Sequence, residues 1–149
     1  MVSQACIPHM KRPIPKITSI SPAMSTASTC IIHIGSFRSL LSDPNQEGYA
    51  ATKAGLRGLL HSQAISFEPL NIRVNLVAPG KIRVKHECKE GDDLGLSWAD
   101  AVEEGDAEEL PTNRPGMPED IARAVEYLVG AGFVTGQEIV VDGGATKRK

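Results

Sequence analysis

Ile31-Ile32-His33-Ile34-Gly35-Ser36, followed by Tyr49-Ala50-Ala51-Thr52-Lys53, is the stretch on which the fold turns. The first segment is a short, β-branched apolar run that ends in glycine, the pattern of a buried strand. The second opens a region from Glu47 to about Phe67 in which small and apolar residues recur at helical spacing. A tyrosine and a lysine four apart on a helix share a face, one turn from each other. Ser36 falls at the carboxyl end of its strand, and ligands of open α/β sheets bind beyond such ends. Its hydroxyl can donate there to a substrate oxygen.

Ser36, Tyr49 and Lys53 together suggest proton transfer to or from an oxygen. A tyrosine titrates near pH ~10 and is by itself a poor acid at neutrality. A neighbouring ammonium favours the phenolate, which brings the group closer to the range that general acid–base catalysis needs. The alternative is a chance surface pair, with Ser36 as a turn residue. The strand-borne serine and the downstream pattern weigh against it.

Alternating β and α units continue to the end of the chain. Residues 72–77 read as a second buried strand, ended by Ala78-Pro79-Gly80. Pro118-Glu119-Asp120 places a proline and two acids in the first turn of a helix, where both are favourable. Ile121, Ala124, Val125, Leu128 and Val129 then form one apolar face, and Gly130 and Gly132 stop the helix. Residues 138–141 make a last strand, and Asp142-Gly143-Gly144 turns out of it. There is no internal repeat.

Composition narrows the function classes. The chain has 149 residues, enough for one domain with a real core. A net charge of -2 argues against a nucleic-acid surface, and 4 % aromatic residues leave little for base stacking. Cys6, Cys30 and Cys88 are scattered and form no C-x-x-C, so neither a disulfide framework nor a zinc site is indicated and a reducing compartment, the cytoplasm, is expected. No apolar stretch approaches the ~18 residues of a membrane span. Residues 1–42 lack Asp and Glu and carry Lys11, Arg12, Lys16 and Arg38. Such composition can mark a transit peptide; a Pro/Ser/Thr-rich surface loop over 12–29, with Pro13, Pro15 and Pro22 opposing regular structure, explains it more simply. His86-Glu87-Cys88 is a weak metal candidate without a matching ligand pair. His33, set between isoleucines, reads as a satisfied residue of the core or just behind the site, and His61 as lying at a helix surface or a subunit contact rather than in catalysis. The basic tail, 146–149, reads as solvated.

Five motifs in order resemble one family. They are residues 31–36, Tyr49-Ala50-Ala51-Thr52-Lys53, Ile72-Arg73-Val74-Asn75-Leu76-Val77-Ala78-Pro79-Gly80, residues 114–122, and Phe133-Val134-Thr135-Gly136-Gln137 with Val141-Asp142-Gly143-Gly144. Together they resemble the C-terminal half of a classical short-chain dehydrogenase/reductase, from Cys30 to about Ala145. Residues 1–11 look like the end of the helix before the serine strand. The resemblance implies one partial α/β domain: a Rossmann-like, doubly wound parallel sheet that lacks its N-terminal nucleotide-binding strands. It implies NAD(P)-dependent hydride transfer between an alcohol and a carbonyl, with NADP or NAD as cofactor. Tyr49 would be the general acid or base, Lys53 would assist it and hold the nicotinamide ribose, and Ser36 would orient the substrate oxygen. Pro79, Gly80 and Ile82 would lie against the nicotinamide. The acidic segment 87–109 would be a substrate lid carrying Leu94, Leu96 and Trp98, the alternative being a solvated acidic loop.

Departures from the family pattern bear on activity. No strand is followed by a glycine-rich turn for the pyrophosphate. A relay asparagine before the serine strand is absent, and Val84 stands where the family often has threonine. Two other readings therefore stand beside the oxidoreductase: an inactive truncated product, and a non-catalytic module that associates with full-length relatives. The helix containing Tyr49 and the one ending near Lys11 usually form the family's subunit interface, so a homo-oligomer is implied. A sheet of this type would also leave the serine strand with an open apolar edge and an aggregation risk.

Overall fold

The computed structural model of the chain describes residues 2–11, 28–83 and 110–148. Its regular elements are helix α1 (Val2–Met10), strand β1 (Cys30–Ile34), helix α2 (Glu47–Ser66), strand β2 (Arg73–Pro79), helix α3 (Pro118–Gly130) and strand β3 (Glu138–Val141). The greater part of the expected 12–29 loop, Val84, His86, Cys88 and the acidic 87–109 segment lie outside the described residues.

The three strands form one parallel sheet in the order β1-β2-β3. Cys30 lies opposite Arg73 and Ile34 opposite Val77, while Leu76 pairs with Glu138 and Pro79 with Val141. Parallel neighbours need a crossover, and the helices between them supply it. β2 is central and buried along nearly its whole length, as a parallel strand covered on both faces must be.

Side chains alternate along β2 and sort the molecule into two layers. Val74, Leu76 and Ala78 point to one side, where they pack with Leu60, Phe67 and Ile72, and with Ile7 and Met10 of α1. On the other side Arg73 and Asn75 meet α3 and the segment after it. The arrangement is the doubly wound α/β layering expected from the sequence.

Local chemistry explains the element ends. α2 carries Glu47 in its first turn, favourable at the positive end of the helix dipole. It ends at Ser66, and Phe67 and Asn71 bring the chain round into β2. Asn45, Asn71 and Asn113 hold left-handed backbone conformations, which asparagine tolerates better than most residues. At α3 the Asp120 carboxylate accepts the Met117 N–H at 2.9 Å, and Arg114 grips the same carboxylate at 2.7 and 2.9 Å. Gly143 and Gly144 follow β3 at φ 62° and 89°. Side chains rarely adopt that region, so the turn out of the sheet needs glycine at both places.

The expected apolar face of α3 is one residue too wide. Leu128 is fully buried and Ile121, Ala124 and Val125 are half-buried, but Val129 is 51 % exposed. At 100° per residue it has turned away from the sheet. The second strand runs on to Pro79, two residues beyond its expected end, because β3 pairs with it there.

Candidate active site

The carboxyl ends of β1 and β2 are held level by the ladder. Gly35 N–H donates to Val77 O at 2.8 Å, and Gly80 N–H to Val141 O at 2.8 Å. Carried on by two residues, the β1–β2 register puts Ser36 level with Pro79. Both glycines are set by close approach. A Cβ on Gly35 would meet Leu76 at 2.7 Å, and one on Gly80 would meet the Asp142 backbone at 2.5 Å.

Ser36 is buried, with extended backbone, and starts a 3-10 turn over Phe37–Ser39. Its Oγ accepts the Arg38 N–H at 3.2 Å. This serine-to-backbone bond fixes the side chain and leaves its own O–H able to donate. The turn packs against α2, so the serine end of β1 and the tyrosine helix lie together.

Tyr49 and Lys53 share a face of α2. The Lys53 Nζ lies 5.5 Å from the centroid of the Tyr49 ring, within cation–π range. It donates to Ile34 O at 3.3 Å, at the last residue of β1. An ammonium has three donors, and this bond aims the group at the sheet end where Ser36 stands. Tyr49 is 49 % exposed, so its phenol can be reached from outside. One turn further along α2, Arg57 Nε pairs with Glu138 Oε2 at 2.7 Å and ties the helix to β3.

Pro79 ends β2, Gly80 follows it, and Ile82 forms an isolated parallel bridge with Gly116. Arg83 N–H donates to Gly116 O at 2.7 Å, and Gly116 N–H to Lys81 O at 3.1 Å. A Cβ on Gly116 would collide with the end of the Ile82 side chain. Gly116 therefore positions Ile82, a role that spacing alone does not reveal.

Asp142 braces the same rim. Its carboxylate accepts from Gly144 N–H at 2.9 Å and Thr146 N–H at 2.8 Å. Burial acts to raise the Asp142 pKa, but the hydrogen bonds from Thr146 and Gly144 outweigh it and hold the carboxyl below its ordinary value. Arg73 and Asn75 were also not singled out as anchors by sequence reasoning. Their signal was present: two polar residues two apart in an otherwise apolar strand must find buried partners. His33, by contrast, is satisfied as expected, with Nε2 2.8 Å from Gln63 Oε1, and His61 is exposed on α2.

The comparisons agree with this fold. The family model described as enoyl-(acyl carrier protein) reductase matches residues 14–146. The chain is 40 % identical over 129 residues to the 3-oxoacyl-[acyl-carrier-protein] reductase FabG of Chlamydia trachomatis, covering 84 % of this chain and 48 % of that protein. Acetoin dehydrogenase from Enterobacter cloacae superimposes with a TM-score of 0.68 at 29 % identity, over 99 % of this chain and 50 % of the other. A 4-hydroxyisoleucine dehydrogenase complexed with NADH gives 0.64 at 33 % identity, over 80 % and 47 %. The parallel sheet wound on both sides is an α/β, Rossmann-like fold, and the chain belongs to the short-chain dehydrogenase/reductase family. It spans about half the length of the curated relatives it matches.

Proposed function

We propose that this chain carries the acid–base half of an NAD(P)-dependent oxidoreductase that interconverts an alcohol and a carbonyl. The observation that carries the reading is Lys53, bonded to the end of β1 and lying against the Tyr49 ring, with Ser36 two residues beyond its acceptor. The relatives support the reaction class: they are named as reductases and dehydrogenases, and one is complexed with NADH.

The residues present fit the nicotinamide ribose end of such a cofactor. An ammonium and a phenol stand on one helix face beside two level strand ends, which suits a pair of ribose hydroxyls. Pro79, Gly80 and Ile82 would form the floor under the nicotinamide. Among the described residues no glycine-rich turn between strand and helix is available for the pyrophosphate. When bound, a nicotinamide dinucleotide supplies or takes up the hydride.

The chain does the rest. In reduction the Ser36 hydroxyl donates to the carbonyl oxygen and fixes its position. The Tyr49 hydroxyl gives its proton to that oxygen as negative charge develops on it, and the phenolate left behind is stabilised by the Lys53 ammonium. In oxidation the proton returns to Tyr49. Assembly through α2 belongs to the same proposal: Gly48, Gly55 and Gly58 face open space and Ile65 is 73 % exposed, which suits a second helix packed closely against them.

The test is carbonyl reduction followed by loss of reduced nicotinamide. Tyr49→Phe should lower kcat by roughly 10²- to 10⁴-fold, the usual worth of a positioned acid, and leave cofactor affinity within a few-fold. Equal rates in the two proteins would remove Tyr49 from the chemistry. A wild-type chain that folds, turns nothing over and assembles with relatives would favour the non-catalytic module instead.

A further inference from the structure

The acid–base trio comes from two elements. Ser36 stands at the end of β1, and Tyr49 and Lys53 on α2, with residues 37–46 between strand and helix. Regular backbone geometry fixes neither the height of α2 over the strand ends nor its slide along them. Side-chain contacts from the sheet must do so. The Lys53 bond to Ile34 O, at 3.3 Å, is one such contact, at an exposed position. A second comes from β3.

Glu138 opens β3 opposite Leu76. Partners across a ladder share a face of the sheet, and Leu76 packs with Leu60 of α2 on that face. The Glu138 side chain therefore lies under α2, where it is 13 % exposed. Its two carboxylate oxygens serve different elements. Oε2 accepts from Arg57 Nε at 2.7 Å, one turn beyond Lys53; charge assistance puts such a bond among the stronger ones. Oε1 lies 3.5 Å from Ser39 Oγ, at the outer limit for a hydrogen bond. The Ser39 hydroxyl gives its shorter bond to Ser36 O, at 2.9 Å. One carboxylate thus stands between the helix that carries Tyr49 and Lys53 and the turn that begins at Ser36. A carboxylate so enclosed is costly unless paired, so apolar packing alone does not explain a glutamate ahead of Ile139, Val140 and Val141.

We propose that Glu138 is a positioning residue for the acid–base site. From β3 it holds α2 through Arg57 and the serine turn through Ser39, and so sets the spacing between the Ser36 hydroxyl and the Tyr49–Lys53 pair. Glu138 acts through these two residues rather than on the trio itself. Its consequence for rate rests on the acid–base reading; its mechanical coupling of helix and turn does not. Misplacing reacting groups by about 1 Å costs on the order of 10²-fold in rate. The effect on turnover should therefore fall on kcat and spare KM.

The test is amide hydrogen exchange, followed by NMR, in the full 149-residue chain. The Arg38 N–H, bonded to Ser36 Oγ, and the Leu40 N–H, bonded to Phe37 O, report on the serine turn. The Val74 and Leu76 amides, bonded within the core of the sheet, report on unfolding of the whole domain. Glu138→Met and Arg57→Met should each speed exchange in the turn about tenfold or more beyond any change in β2, the worth of a lost charged hydrogen bond. Arg57 lies on α2, so its effect on the turn measures the coupling, and the two changes together should add little to either alone. Glu138→Gln keeps an acceptor for Arg57 and should stay within about threefold of wild type. Arg57→Met decides the matter by itself should Glu138→Met not fold. Equal acceleration in the turn and in β2, a turn indifferent to Arg57→Met, or additive effects of the two changes would overturn the proposal. In carbonyl reduction Arg57→Met should lower kcat about tenfold or more with KM nearly unchanged; a rise in KM alone would equally contradict it. The exchange readout needs neither cofactor nor turnover, so a failed oxidoreductase reading would show separately, in the Tyr49→Phe rates.

Discussion

At Arg73 five backbone carbonyls converge on one guanidinium: Leu128, Val129, Ala131 and Val134 from the end of α3 and the segment beyond it, and Ser28 from the approach to β1. The last carbonyls of a helix have no intrahelical partner and carry its negative end. Arg73 serves both needs from inside the sheet. Arg73→Met should keep the volume and orphan the acceptors, lowering the unfolding free energy by about 3–5 kcal/mol in a urea titration. Asp120 makes a different, pH-dependent contribution. The Arg114 guanidinium, helped by the Met117 N–H, holds its carboxyl well below the usual carboxylate range. A carboxyl depressed in the folded state stabilises fully above its unfolded pKa, near ~4, and loses that contribution as pH falls further. Asp120→Asn should therefore lower the urea midpoint at pH 7, and the gap to wild type should narrow between about pH 4 and pH 2. A gap independent of pH would mean that the ion pair contributes nothing to stability. The placing of Ser36 at the end of β1, and of Tyr49 and Lys53 one turn apart on α2, was legible in the sequence because it follows from local periodicity. Arg73 and Gly116 were not, since their partners come from segments distant in the chain and only the fold brings them together.

Elements were legible to the extent that their pattern is local. β1, α2, α3 and β3 lie where periodicity and end signals put them, within a residue or two. The 3-10 turn after Ser36 carries no comparable periodicity, and Val129 escapes the apolar stripe by one step of helix rotation. α2 is the element with the least settled surroundings. Its glycines Gly48, Gly55 and Gly58 have nothing within 4 Å of an added Cβ, yet glycine inside a helix costs about 0.5–1 kcal/mol against alanine. Gly55→Ala should accordingly stabilise the isolated chain by about that amount. If the helix packs against another copy, the same substitution should weaken self-association, because an added methyl blocks close approach. Thermal melting and sedimentation of one variant read both effects; a variant that gains stability and leaves assembly unchanged would separate α2 from any subunit contact.

For the whole molecule, layer order follows from a short list of apolar runs, while completeness of the site depends on residues that no single motif supplies. Among the described residues β1 pairs on one side only, with β2, and a parallel sheet edge left open invites association. Ser36, Pro79 and Gly80 stand at the carboxyl end of the same three-stranded sheet, and Lys53 is bonded to Ile34 O there. The central claim is that this assembly can still hold a nicotinamide cofactor. The most direct measurement is a thermal melt of the chain at low protein concentration, with and without saturating NADH or NADPH. A ligand that binds only the folded state at a hundredfold its Kd stabilises by about 2.7 kcal/mol, which for a chain of this size is a rise of several degrees. A cooperative melt raised by one of the two cofactors is the expected result; a cooperative melt raised by neither would contradict cofactor binding by this chain.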